Sequence, residues 1–96
     1  MNVEFDPAAD REVNRTYRWY YKRSVTAAHR FLNALDHAIE QIVANPGLWP
    51  EHLHGTRFRN LERYPYFVVY LELGDSIKII AVQHAARRPG YWIKRL

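Results

Sequence analysis

Residues 66–82 read Tyr66-Phe67-Val68-Val69-Tyr70-Leu71-Glu72-Leu73-Gly74-Asp75-Ser76-Ile77-Lys78-Ile79-Ile80-Ala81-Val82. Both halves of this stretch are dense in the β-branched and aromatic residues that favour strands. The pair Gly74-Asp75 separates the halves, and such a pair between two apolar runs is typical of a hairpin turn. The stretch therefore predicts two antiparallel strands joined by a tight turn.

Both faces of this predicted hairpin are apolar. Simple alternation of side chains places one set on one face, namely Phe67, Val69, Leu71, Ile77, Ile79 and Ala81. The opposite face then carries Val68, Tyr70, Ile80 and Val82. We expect one face to lie under helices, and the other to be covered partly by residues 90–96 and partly by a protein partner.

Two helices are predicted before the hairpin. A short strand at Asn2 to Phe5 leads into Asp6-Pro7, where Asp is a good N-cap and Pro suits the first helical position. One face of the first helix then presents Ala9, Val13, Tyr17 and Tyr20. Ser24 caps the second helix, whose apolar stripe consists of Ala28, Phe31, Leu35, Ala38 and Ile42. Asn45-Pro46 ends it, and Trp49 is expected to pack against the core.

The composition is that of one small globular domain spanning residues 1–96. Hydrophobic residues make up 48% and charged residues 25%, which excludes an intrinsically disordered chain. There is no cysteine, so disulfides, thiolate metal sites and thiol nucleophiles are excluded. No leader peptide or membrane-spanning run is recognisable, and we expect a soluble, cytoplasmic protein.

The chain is basic, with 14 Lys and Arg against 10 Asp and Glu. This balance favours an acidic partner such as nucleic acid, the ribosome or an acidic protein segment, although it also serves solubility alone. Six arginines fall in the last forty residues: Arg57, Arg59, Arg63, Arg87, Arg88 and Arg95. Their position leads us to predict a basic binding surface in this part of the chain.

The candidate catalytic residues are His84, Arg87 and Tyr91. Arginine contacts phosphate with two parallel hydrogen bonds, and His or Tyr can carry a proton during phosphodiester cleavage. In the alternative interpretation His84 caps a strand, the arginines form a solvated edge, and Tyr91 and Trp92 pack. His52 and His54 lack a third ligand at suitable spacing, so we predict a solvated loop, with no metal and no cofactor.

The motifs along the chain resemble those of the RelE/ParE superfamily of toxins from bacterial type II toxin–antitoxin modules. The resemblance rests on Asn45-Pro46-x-x-Trp49-Pro50, on residues 63–70 and 80–84, and on Arg87-Arg88-Pro89-Gly90-Tyr91-Trp92. It implies an α+β fold, in which an N-terminal strand and a helical hairpin pack on an antiparallel sheet of three to four strands, followed by a short C-terminal segment. It further implies plasmid stabilisation, growth inhibition, and assembly with a cognate antitoxin into a hetero-oligomer.

The resemblance implies two possible mechanisms. RelE-like members cleave messenger RNA on the ribosome, whereas ParE-like members inhibit DNA gyrase. Phe67 and Ala85 occupy positions where RelE-like nucleases carry arginine, although Tyr91 matches their tyrosine. We therefore expect a ParE-like toxin that binds its target, possibly gyrase, with the RelE-like nuclease as the alternative and a plain interaction module as a third possibility. The expected target-binding residues are Arg57, Arg59, Arg63, Arg87, Arg88, Tyr91 and Trp92.

Overall fold

The computed structural model describes all residues 1–96 and contains two helices and four strands. In chain order these are β1 (Asn2–Phe5), α1 (Pro7–Tyr21), α2 (Val25–Ala44), β2 (Arg57–Asn60), β3 (Tyr66–Leu73) and β4 (Ser76–His84). Short 3-10 turns cover Leu53–Gly55 and Ile93–Arg95. The predicted α+β class, with a helical hairpin on a sheet, is confirmed. Neither helix is long and apolar enough to cross a membrane.

The sheet is mixed, with the strand order β1-β4-β3-β2. Strands β2, β3 and β4 pair antiparallel, as predicted, and β1 pairs parallel with β4. A parallel neighbour requires a crossover connection, which the helical hairpin supplies between β1 and the rest of the sheet. The two helices thus cover one face of the sheet.

Local signals placed both helices correctly. The Asp6 carboxylate accepts a hydrogen bond from the Ala8 N–H at 2.8 Å, and the Ser24 hydroxyl accepts one from the Ala27 N–H at 3.1 Å. These bonds satisfy backbone donors that have no partner within the helix. All of the predicted stripe of α2 is buried: Ala28, Phe31, Leu35, Ala38 and Ile42.

The predicted division of the hairpin faces is wrong for part of β4 because the strand contains a bulge. Val69 pairs with Ala81, but Tyr70 pairs with Ile79, which leaves Ile80 as an extra residue. An extra residue reverses the alternation of side chains beyond it. The face under the helices therefore carries Val68, Tyr70, Ile77, Ile79 and Val82.

The alternation of side chains from Arg57 to Arg63 in the sequence is typical of a strand, but the strand β2 ends at Asn60. The chain turns there, so that the Leu61 N–H donates to the Tyr66 carbonyl at 3.0 Å and the Leu61 side chain enters the core. Arg63 adopts a left-handed conformation, with φ of 67°. The chain thus leaves the strand before Pro65, the residue that cannot donate a hydrogen bond to a sheet.

Trp92 covers the outer face of the sheet, on the side away from the helices. Its side chain is fully buried against Val69, Ile80 and Ala81, and its indole N–H donates to the Gln83 amide oxygen at 3.0 Å. The expectation that residues 90–96 cover this face in part is confirmed. Leu73 and Ile93 remain about half exposed, at 51% and 45%.

Candidate functional site

The buried carboxylate of Glu12, on α1, organises the C-terminal segment. It accepts hydrogen bonds from the Tyr91 hydroxyl at 2.6 Å and from the backbone N–H of Val82 at 3.1 Å. Arg95 donates to both of its oxygens, at 2.9 and 3.1 Å, and Arg87 donates to one of them at 3.3 Å. Two arginines and one tyrosine that lie more than 70 residues away in sequence thereby converge on one acidic group.

This arrangement determines the chemistry of Tyr91. The Arg87 guanidinium lies 3.5 Å from the centre of the Tyr91 ring, and the hydroxyl is occupied as a donor to Glu12. Burial raises the pKa of Tyr91, and the hydrogen bond to Glu12 raises it further. The hydroxyl therefore loses its proton less readily than an ordinary tyrosine does, and it is engaged as a donor within the protein.

The two arginines of β2 lie at a different place, beside Trp49. Arg57 donates to the Trp49 carbonyl at 2.8 Å and lies 3.7 Å from the exposed carboxylate of Glu51. Arg59 donates to the Gln41 side chain at 2.9 Å, and its guanidinium lies 4.3 Å from the Trp49 ring centre. The indole of Trp49 packs on the core and donates to the Gln41 carbonyl at 3.1 Å, so its predicted structural role is confirmed.

The remaining predicted residues are dispersed. Arg63 is exposed and lines a cleft together with Arg30 and His37 of α2. His84 ends β4, where its Nδ1 accepts from the Ala86 N–H at 3.0 Å and its ring meets Tyr66 edge-on. Arg88 is exposed, whereas Trp92 is fully buried. The predicted set therefore occupies several separate places and does not converge on one centre.

A family model described as "ParE toxin of type II toxin-antitoxin system, parDE" matches residues 3–89. The chain belongs to this family. The resemblance to the RelE/ParE superfamily, and specifically to its ParE-like branch, is thereby confirmed. No curated protein matches the chain.

Two solved structures share the fold of this ParE-family chain. One is described as a chromosomal ParDE TA system from P. aeruginosa, with a TM-score of 0.64, 24% identity, and coverage of 88% of this chain and 95% of that one. The other is described as a YoeB-YefM complex from Staphylococcus aureus, with a TM-score of 0.57, 20% identity, and coverage of 86% and 94%.

In this ParE-family chain an aromatic cluster surrounds Phe67, one of the two positions where the nuclease pattern has arginine. The ring centre of Phe67 lies 5.3 Å from that of Phe58 and 6.0 Å from that of His52. Ala85, the second such position, is exposed at the end of β4. The first position therefore contributes packing on the outer face of the sheet.

His52 is not part of a solvated loop, and that prediction is wrong for this residue. Its ring lies 5.3 Å from Phe58 and 5.8 Å from Trp92, and its buried Nε2 has no hydrogen-bond partner. Burial lowers the pKa of His52, because the charged form would be poorly solvated there. His54 is exposed, and no group of three His, Asp or Glu side chains is placed to hold a metal.

Sequence reasoning missed two features of this ParE-family chain. Glu12 shares a helix face with Ala9 and Val13, and a carboxylate on an apolar face is a signal of a buried partner. The second feature is a basic-aromatic surface at the C-terminal end of α1 and the turn that follows it, formed by Arg15, Arg18, Trp19, Lys22 and Arg23. Its four cations are exposed, and their common groove with Trp19 was not anticipated.

Proposed function

We propose that this ParE-family chain arrests growth by binding a target, for which DNA gyrase is the candidate, and does so without cleaving RNA. The hydrogen bond from Tyr91 to Glu12 carries this proposal. The nuclease alternative assigns proton exchange with RNA to Tyr91, whereas the hydroxyl of this phenol is already engaged as a donor to the Glu12 carboxylate. Phe67 in place of an arginine also leaves transition-state charge without one donor.

We infer that the exposed arginines at the ends of the sheet bind the target. Arg63 and Arg88 are exposed, and the Arg87 side chain is 47% exposed beside Tyr91. Arg57 and Arg59 are partly buried against Trp49, so they offer a pre-ordered basic edge. Cations held in fixed positions bind an acidic target at a smaller entropic cost than free ones do.

A cognate antitoxin is the second partner that we propose. The described relatives of known structure are a ParDE TA system and a YoeB-YefM complex, and the net charge of +4 suits an acidic antitoxin segment. The half-exposed apolar residues beside the outer face, Leu73 and Ile93, supply apolar area for such a segment. The resulting hetero-oligomer would act in the cytoplasm.

The test is a supercoiling assay with purified gyrase and the purified chain. We expect inhibition by the natural sequence, weaker inhibition by Arg63→Ala and Arg88→Ala, and unchanged inhibition by Arg11→Ala, which removes an exposed arginine elsewhere. Circular dichroism should show that all variants fold. Unimpaired supercoiling in the presence of the natural chain would refute gyrase as the target.

A ribosome-dependent messenger RNA endoribonuclease is the second candidate, and one observation favours it. The half-exposed guanidinium of Arg87 lies directly over the ring of Tyr91, which matches the tyrosine of the nucleases. Primer extension on transcripts from expressing cells distinguishes the two mechanisms. New cleavage ends that disappear in Tyr91→Phe and in His84→Ala would support the nuclease, and intact transcripts during growth arrest would exclude it.

A further inference from the structure

The C-terminal end of α1 and the turn that follows it carry a concentration of positive charge. Residues 14–24 contain Arg15, Arg18, Lys22 and Arg23 and no acidic residue. These four cations equal the formal net charge of +4, so the other 10 Lys and Arg balance the 10 Asp and Glu of the chain. This part of the chain therefore carries a local positive charge that no neighbouring acidic residue in the sequence offsets.

Helical spacing brings these cations onto one surface. All four line a shallow groove together with Trp19, and none of them belongs to an ion pair. From Arg15 to Lys22 the helix rises about 10 Å, at roughly 1.5 Å per residue.

Trp19 adds an aromatic platform to this groove. Its side chain is 51% exposed, and the guanidinium carbon of Arg23 lies 3.6 Å from its ring centre. Arg23 also donates to the Trp19 carbonyl at 2.8 Å, which fixes a planar cation on the indole. A neighbouring groove continues from Arg15 and Trp19 past Tyr66 to His84. The surface therefore combines cations and accessible aromatic rings.

We propose that this α1 surface binds single-stranded nucleic acid, with the cations on phosphates and the indole of Trp19 stacked on a base. Cations alone would suit any polyanion, but the half-exposed indole, with Arg23 on one face only, leaves ring surface on which an unpaired base can stack. A duplex hides its base faces, and an acidic peptide offers none. The surface includes none of the residues proposed to bind gyrase, so this inference goes beyond the proposed function.

Fluorescence anisotropy with a short, labelled oligothymidylate tests the proposal in the absence of gyrase. Trp19→Ala should weaken binding roughly 5- to 150-fold, the range found when one stacked base loses its aromatic partner. For four phosphate contacts, a fourfold rise in salt should weaken binding about 50-fold. In Arg18→Gln/Lys22→Gln, which keeps two contacts, the same rise in salt should cost only about 7-fold.

Arg30→Gln/Lys94→Gln is the matched control, because it also removes one exposed arginine and one exposed lysine. It should bind as the natural chain does, apart from a small change that follows from net charge. The proposal is overturned if no binding is observed, if Trp19→Ala binds unchanged, or if the control weakens binding as much as the α1 variants. Equal displacement of the probe by polyglutamate or by a duplex competitor would also overturn it. Because gyrase is not present, this result is independent of the supercoiling assay.

Discussion

Replacing Glu12 by alanine should destabilise the protein more than the loss of any exposed charge. The carboxylate side chain is 6% exposed and accepts five hydrogen bonds, from Val82, Tyr91, Arg87 and, twice, Arg95. Its removal leaves the Val82 N–H and the Tyr91 hydroxyl without their acceptor, and leaves Arg95 with only the Ile80 carbonyl. Breaking a buried ion pair in this way costs about 3–5 kcal/mol.

The lower end of this range applies here because the Arg95 side chain is 18% exposed and regains some water. A loss of about 3 kcal/mol lowers the Tm of a domain of this size by roughly 12–24 °C. Urea unfolding gives the free energy directly. Because the chain has three tryptophans, a Trp19→Phe/Trp49→Phe background is needed for Trp92 to report whether the C-terminal segment leaves the sheet. We expect its fluorescence to shift to longer wavelength before global unfolding.

Two further variants make the Glu12 prediction specific. Glu40→Ala, on the exposed side of α2, should change the free energy of unfolding by less than about 0.5 kcal/mol. The double variant Glu12→Ala/Arg95→Ala should lose less than the sum of the single losses, by roughly 1–3 kcal/mol, because the two groups interact directly. If Glu12→Ala lost no more stability than Glu40→Ala, the organising role of this carboxylate would be refuted.

Three other variants test the core and the pH dependence. Phe31→Ala should cost about 3–5 kcal/mol in urea unfolding, because the ring is fully buried, and an unchanged midpoint would contradict that packing. Burial raises the pKa of Tyr70 from 10.0 to about 12. As the pH rises, the unfolded chain therefore loses this proton at a lower pH than the folded chain does, and the Tm should fall between about pH 10 and 12. Tyr70→Phe, which loses the hydrogen bond to the Pro46 carbonyl, should flatten part of that fall, and identical alkaline curves would count against it. Burial lowers the pKa of His52 below 6.5, so the unfolded chain binds this proton more readily and stability should decrease as the pH falls below about 6.5. Thermal melts at pH 5 and 7.5 measure this decrease, and it should be smaller in His52→Phe.

The helices and the hairpin were predictable because their signals are local. Asp6 and Ser24 cap helices through hydrogen bonds to residues two and three positions away, and the stripe around Phe31 follows from helical geometry alone. Gly74 adopts a left-handed conformation, with φ of 59°, which glycine reaches without steric cost and which tight turns commonly require. Family membership likewise followed from the order and spacing of short motifs.

The bulge at Ile80 and the parallel pairing of β1 with β4 were not predictable in the same way. The register of a strand depends on what covers each face, and the covering residues come from distant parts of the chain. Trp92 covers the outer face and α1 covers the inner one. Which side chains of β4 point to each face therefore depends on packing against both of these distant parts of the chain. Strict alternation therefore misplaced Ile77, Ile79 and Ile80.

The sequence by itself determined the helical hairpin, the β-hairpin, the basic balance and the family, since each depends on neighbours or on motif order. Only the tertiary structure decided the roles of the candidate site residues. Tyr91 and Arg87 were interpreted as groups facing a substrate, yet they meet the buried Glu12 from α1, more than 70 residues away in sequence. A buried carboxylate is stable only if hydrogen-bond donors surround it, and these donors can come from any part of the chain that the fold brings near. The spacing of residues along the sequence does not reveal which donors these are.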